Sequence, residues 1–248
     1  MDTLSILVIS YAYIAGFVFL VGTIFFLARW IFKKKGPTGT YLGYLYLFTY
    51  PGQNSRLKAL ENILGRIFLF TSSSDDPFAR YTSLVFHWSL WIVIAAHADI
   101  VLYPYFTAAG ISESTLEAIG NYIGTTLAIL MVGSGLILFG RRALNPYLRK
   151  ISYLSDYFAI LLIVAIGISG ILMRFWLPGN FAYSEVSPFF LSLVSFAPIS
   201  VPSDLIFVTH FTLTMTLLFY FPLSKLMHPF SFFTNPTLYT ISHPGDVR

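Results

Sequence analysis

Residues Tyr81 to Tyr105 read YTSLVFHWSLWIVIAAHADIVLYPY, an apolar run interrupted by two histidines, His87 and His97, and one acid, Asp99. A run of this length, about 37 Å as a helix, crosses roughly 30 Å of hydrocarbon, which makes it a membrane span. Four further stretches satisfy the same test: Leu4 to Phe32, Leu116 to Gly140, Ile151 to Arg174 and Asp204 to Ser224. The fold class expected from them is an all-α membrane protein, a five-transmembrane-helix bundle forming one membrane domain over residues 1–248. The first stretch is expected to be a true span and not a cleaved signal, because its apolar run is long and no basic segment precedes it.

Composition supports this class. Of the 248 residues 56% are hydrophobic and 10% charged, with a mean hydropathy of +0.72, whereas a soluble domain carries roughly a quarter of its residues charged. Cysteine is absent. Disulfides, thiolate zinc sites and cysteine-ligated iron–sulfur clusters within this chain are thereby excluded. The net charge of +4 is explained by membrane orientation and calls for no nucleic acid.

The basic residues are unevenly placed. Of the fifteen Lys and Arg, fourteen flank the first and third connections or follow the fifth span, and Arg174 alone lies on the opposite side. By the positive-inside rule the N-terminus faces outside and the C-terminus the cytoplasm, as in a multi-pass protein of the cell's cytoplasmic membrane. Two connections carry apolar segments of their own. Leu57, Leu60, Ile63, Leu64 and Ile67 recur at helical spacing, predicting an amphipathic cytoplasmic interfacial helix over about 56–70. The run Phe189 to Phe196 is too short to cross, and predicts an outer interfacial segment over about 188–201.

Four of the five histidines belong to two spans: His87 and His97 on the second, His210 and His228 in and just after the fifth. Ionisable groups at membrane depth are costly and mark function. The second span runs outward and the fifth inward, so His97 meets His210 near the outer face and His87 meets His228 near the inner one. Two pairs of neutral imidazoles without a carboxylate or thiolate to complete a tetrahedral site suit two bis-histidine haem b groups better than zinc or copper. Gly133, Gly135, Gly167 and Gly170 lie inside spans, where small residues admit a neighbouring helix or a flat cofactor.

With Phe86-His87 and Ala96-His97 ten residues apart and His210 and His228 eighteen apart, the chain resembles the nitrate reductase gamma subunit and its relatives, the membrane cytochromes b of heterodisulfide reductase and of the sulfite-reduction-associated complex. The Arg56 to Phe70 segment and the ending Lys225-Leu-Met-His-Pro-Phe-Ser-Phe-Phe-Thr-Asn-Pro-Thr resemble the latter branch more. The resemblance implies the same cross-pairing of histidines, with quinol from the membrane quinone pool oxidised near the outer haem. It also implies an inner haem facing a peripheral cytoplasmic iron–sulfur or catalytic subunit, so that this chain is an electron-transfer subunit and not a complete enzyme.

Haem propionates need cations, and Arg174 on the outer side and Arg141 and Arg142 on the inner side are available. Asp99, the one acid within two residues of a proposed ligand, is the candidate proton acceptor for quinol oxidation. Competing classes are a histidine-lined proton or ion transporter without haem, and a histidine-cluster hydroxylase or desaturase. The first would interleave acids with the histidines, the second would show HxxxH clusters, and neither pattern occurs. His243 is read as a solvated tail residue.

Overall fold

The computed structural model describes residues 1–32, 64–65, 67–70, 76–176 and 183–231. Most of the amphipathic segment expected at 56–70, and the tail with His243, lie outside the described residues.

Every described element is helical: α1 (Thr3–Phe32), α2 (Pro77–Ala96), α3 (Ala98–Ala108), α4 (Glu113–Ile119), α5 (Thr125–Leu144), α6 (Pro146–Lys150), α7 (Leu154–Trp176), α8 (Tyr183–Val194), α9 (Leu205–Tyr220) and α10 (His228–Ser231). A π-turn, Gly120–Gly124, joins α4 to α5, so Glu113–Leu144 runs as one span. Four spans are continuous: Thr3–Arg29, Glu113–Leu144, Leu154–Phe175 and Leu205–Leu223. The bent pair α2 and α3, which turns by 45°, makes a fifth if it is taken as one broken span. The protein is thus a multi-pass membrane protein.

Short polar residues set the helix starts. Asp76 precedes Pro77 and its Oδ1 accepts from the Ala79 amide at 2.9 Å. Asn145 does the same before Pro146, accepting from Tyr147 N at 2.9 Å. Asp204 Oδ1 accepts from the amides of Ile206 and Phe207, both at 2.9 Å. Capping oxygens and a first-turn proline satisfy or remove amides that lipid could not.

The second span departs from the unbroken helix expected over 81–105. His97 stands at the break with ψ −12°, its amide shared between the carbonyls of Val93 (3.3 Å) and Ile94 (3.2 Å), while the Ile100 amide reaches back three residues to His97 O. This tightening to three-residue hydrogen bonds turns the axis. The fifth span also stops early as an α-helix, at Tyr220, where Phe221–Leu223 forms a 3-10 turn around Pro222. The stretch from His210 to His228 is therefore not one continuous α-helix.

Two compact units divide the chain, residues 1–16 with 81–219 and residues 17–80 with 220–248. In the first, α5 packs on α7 through small residues: a Cβ on Gly167 would lie 2.6 Å from Val132 Cγ2 and 2.7 Å from Met131 Cε, and one on Gly135 3.0 Å from Val164 Cγ2. A separate apolar cluster joins Val8, Ile9 and Ala12 of α1, Val186 and Phe189 of α8, Val201, and Phe207, Val208 and Phe211 of α9. Of the segment expected over 188–201, residues 188–194 belong to helix α8, which begins five residues earlier. In the second unit, Pro222 fills the space over Gly22 and Phe19 meets Phe221 at 5.5 Å.

Candidate functional site

The break in the second span delivers His97 to His210 of α9. Their ring centres lie 6.1 Å apart with planes inclined by 12°. Aromatic pairs span about 4.5–7 Å, so distance alone admits a plain ring contact. The ring nitrogens add a second observation. His97 Nδ1 lies 2.6 Å from Val93 O, and His210 Nδ1 lies 3.1 Å from Ile166 O and 3.0 Å from Ser169 Oγ. A carbonyl only accepts, so each Nδ1 carries the proton and donates it. Neither neutral ring then has an N–H for the other, and both Nε2 atoms hold lone pairs.

Two such lone pairs suit a metal between them. A nitrogen about 2 Å from a metal puts its ring centre roughly 3 Å away, so two imidazoles on opposite sides of one metal stand roughly 6 Å apart. Among the described residues no group of three or more His, Asp or Glu is placed to hold a metal ion. Two imidazoles alone do not complete a metal site, and a haem, whose macrocycle supplies four nitrogens, is a group whose remaining donors such a pair could provide. Gly170 completes the fit: a Cβ there would lie 3.2 Å from His210 Cε1, so the glycine leaves the ring its position.

The other two histidines also set Nδ1 against a backbone carbonyl. His87 Nδ1 lies 2.8 Å from Ser83 O, with its ring 5.2 Å from Phe86 and 6.0 Å from Trp91. His228 Nδ1 lies 3.0 Å from Lys225 O. The two belong to different units.

Around His97 the polar side chains form a connected group. Tyr183 of α8 donates to Asp99 Oδ2 at 2.7 Å. Burial first, then the bond to Asp99 and its charge, push the Tyr183 hydroxyl up to about 12, against the opposing pull of Arg174. Arg174 donates to Asn121 Oδ1 at 3.2 Å and lies over the π-turn, where a Cβ on Gly120 would come within 2.7 Å of the guanidinium. Glu113 ties three helices, accepting from Tyr103 at 3.0 Å and from Ser184 N at 2.9 Å and Oγ at 3.1 Å. At the opposite end of α5, Arg142 meets Asp156 at 3.5 Å and Ser152 Oγ at 3.1 Å, and Arg141 shares its terminal turn.

Sequence reasoning brought together His97 and His210, and placed Asp99 and Arg174 in the same region. It missed Tyr183, Ser169 and the carbonyls of Val93 and Ile166. The bond from His97 to the residue four before it follows from helix geometry alone; Tyr183, 84 residues from Asp99, left no local signal.

Known proteins are similar to this chain in sequence. A cytochrome b-like subunit of an Hdr-like menaquinol oxidoreductase from Archaeoglobus fulgidus is 32% identical over 203 residues, covering 78% of this chain and 58% of that one. This chain therefore spans little more than half of that relative. The Archaeoglobus profundus protein of the same name is 26% identical over an alignment of 271 positions, covering 95% of this chain and 78% of its own. The nitrate reductase gamma chain of Bacillus subtilis is 30% identical over 159 residues, 60% of this chain and 70% of that one. The profile of the nitrate reductase gamma subunit matches residues 73–247, a stretch that takes in His87, His97, His210 and His228, and this chain belongs to that family.

Proposed function

We propose that this chain is a di-haem cytochrome b, one membrane domain carrying electrons between a membrane quinol and a peripheral redox partner. The observation that carries the reading is the His97–His210 pair, two imidazoles 6.1 Å apart whose Nδ1 protons are both given to acceptors elsewhere. Bound haem b supplies one-electron carriers whose potentials follow axial ligation, hydrogen bonds to the ligands and burial. His97 and His210 hold one iron, and the carbonyls of Val93 and Ile166 with Ser169 Oγ fix each ring's tautomer and direction. His87 and His228 hold a second, a pairing that rests on the opposed directions of their spans. Arg174 at one end and Arg141 and Arg142 at the other serve the propionates as cations.

The fourteen-to-one distribution of basic residues supports an outward N-terminus and a cytoplasmic C-terminus, with the His97 pair near the outer face of the cytoplasmic membrane. Asp99 there accepts a proton from quinol. The names of the Archaeoglobus relatives favour menaquinol as the carrier. Since the chain has no cysteine, iron–sulfur centres that accept its electrons belong to a partner subunit on the cytoplasmic side.

The test is a pyridine haemochrome assay with redox titration. The parent chain is expected to hold two b haems; His97→Ala and His210→Ala are each expected to lose one, the same one. Loss of different haems would overturn the pairing. A chain without haem would overturn the reading in favour of a histidine-lined proton path. Loss of quinol-driven reduction in Asp99→Asn with both haems retained would support the proton acceptor, and normal reduction across pH would exclude it.

A further inference from the structure

Helix α8 touches both sides of the His97–His210 gap. On the His97 side, Tyr183 donates to Asp99 Oδ2 at 2.7 Å and stacks on Tyr103 at 5.8 Å and 14°, both on α3. On the His210 side, Phe189, fully buried, meets Phe207 at 6.0 Å and Phe211 at 5.4 Å, both on α9; Phe211 adjoins the ligand itself. Phe190 adds a second contact to Phe211 at 5.6 Å. One helix of 12 residues is therefore fastened to the segment just after one ligand and to the segment around the other.

The two fastenings differ in kind. The aromatic contacts to α9 are spread over several rings, whereas the direct polar tie to α3 is one hydroxyl on one carboxylate, with Glu113 bridging Tyr103 and Ser184 as an indirect one. The Asp99 carboxylate lies two residues past the 45° bend. His97 is the hinge of the bend, with its amide shared between two carbonyls, so the direction in which α3 leaves sets the local backbone on which the imidazole is mounted.

We infer that Tyr183 is a positioning residue for the His97–His210 haem: its hydrogen bond to Asp99 holds α3 at the angle that presents the His97 ring nearly parallel to that of His210. This rests on the haem reading above. The role needs an acceptor at residue 99 and not a negative charge, so it separates cleanly from proton acceptance by Asp99. Removing the Tyr183 hydroxyl removes the tie nearest the bend while leaving the carboxylate, the Tyr103 stack and the Glu113 bridge in place. Asp99→Asn removes the charge while leaving an oxygen for the tyrosine to reach.

The experiment is electron paramagnetic resonance of the oxidised, purified chain, because the g-values of a low-spin ferric haem report the angle between its axial ligand planes. Tyr183→Phe keeps the buried ring and is expected to shift the g-values of the His97/His210 haem and not those of the His87/His228 haem, with both haems retained. Asp99→Asn is expected to keep the parental g-values, whatever happens to turnover. Unchanged g-values in haem-loaded Tyr183→Phe, equal shifts in both haems, or an Asp99→Asn shift as large as that of Tyr183→Phe would each overturn the inference. Absence of haem from the parent chain would instead overturn the haem reading, and this inference with it.

Discussion

A histidine among apolar helices has two nitrogens to satisfy, and in all four candidate ligands Nδ1 lies within hydrogen-bond distance of a backbone carbonyl. Gly170 is the residue most closely fitted to this arrangement. An added Cβ at 3.2 Å from His210 Cε1 makes the ring give by a few tenths of an ångström, and larger side chains displace it. Gly170→Ala is expected to keep both haems and to shift the midpoint potential of one; Gly170→Val is expected to lose that haem alone, as read by haem content and redox titration. Tyr183 offers a second prediction. With its folded pKa near 12 and an unfolded value of about 10, the folded state holds the proton more tightly between those two values. Its contribution to stability is complete below pH 10 and falls as pH rises toward 12. The difference between alkaline absorbance titrations of the parent and Tyr183→Phe should show one tyrosine ionising near 12; ionisation near 10 would contradict the buried bond to Asp99. Ser187 is a third case: its hydroxyl is buried without a hydrogen-bond partner among the described residues, so Ser187→Ala is expected to leave thermal stability in detergent unchanged or raise it by about 1 kcal/mol. Residues of this scale were legible only in part. His97, His210 and Gly170 announce themselves by being polar or small inside apolar spans. Tyr183 and Glu113 act through partners 84 and 71 residues away in sequence, a relation that no local pattern encodes.

Among the elements, the spans were legible because lipid requires about twenty apolar residues in a row, and their starts because Asp76-Pro77, Asn145-Pro146 and Asp204 are helix-initiating residues. The breaks were not. Hydropathy is the same on both sides of His97, and the change there is from four-residue to three-residue hydrogen bonding, which leaves the apolar pattern of the second span intact. The π-turn at Gly120–Gly124 is hidden for the same reason. It fits the crowding it faces, since the Arg174 guanidinium lies where a Cβ on Gly120 would be. The α5–α7 contact gives the clearest prediction at this scale. Gly167→Leu places atoms where Val132 and Met131 already stand, with an expected loss of about 1–3 kcal/mol that separates the two helices. Gly133→Ala, with nothing within 4 Å, is the matched control and is expected to be neutral. Thermal unfolding of both variants in one detergent checks the pair.

For the whole molecule, the charge distribution makes a prediction that the absence of cysteine renders simple to test. A single cysteine at Tyr147, 71% exposed between α5 and α7, is expected to react with an impermeant thiol reagent only from the cytoplasmic side, and one at Ser114 only from outside. Reversal of this pattern would invert the arrangement proposed for the haems and their partners. The spans also differ in length: Glu113–Leu144 has 32 residues and Leu205–Leu223 has 19, so at 1.5 Å per residue they measure about 48 Å and about 28 Å. No bilayer matches both. A membrane of ordinary thickness fits the shorter helix, and the longer one must then lean or emerge into the headgroup layer. The end suited to emerge is the one that begins at Glu113, whose carboxylate receives bonds from Tyr103 and Ser184, groups comfortable among phosphates and ester carbonyls. Lipids with shorter acyl chains would draw more of this end into water, and longer ones would bury its acid, so hydrophobic mismatch gives the surrounding lipid a direct hold on the helix whose π-turn seats Arg174.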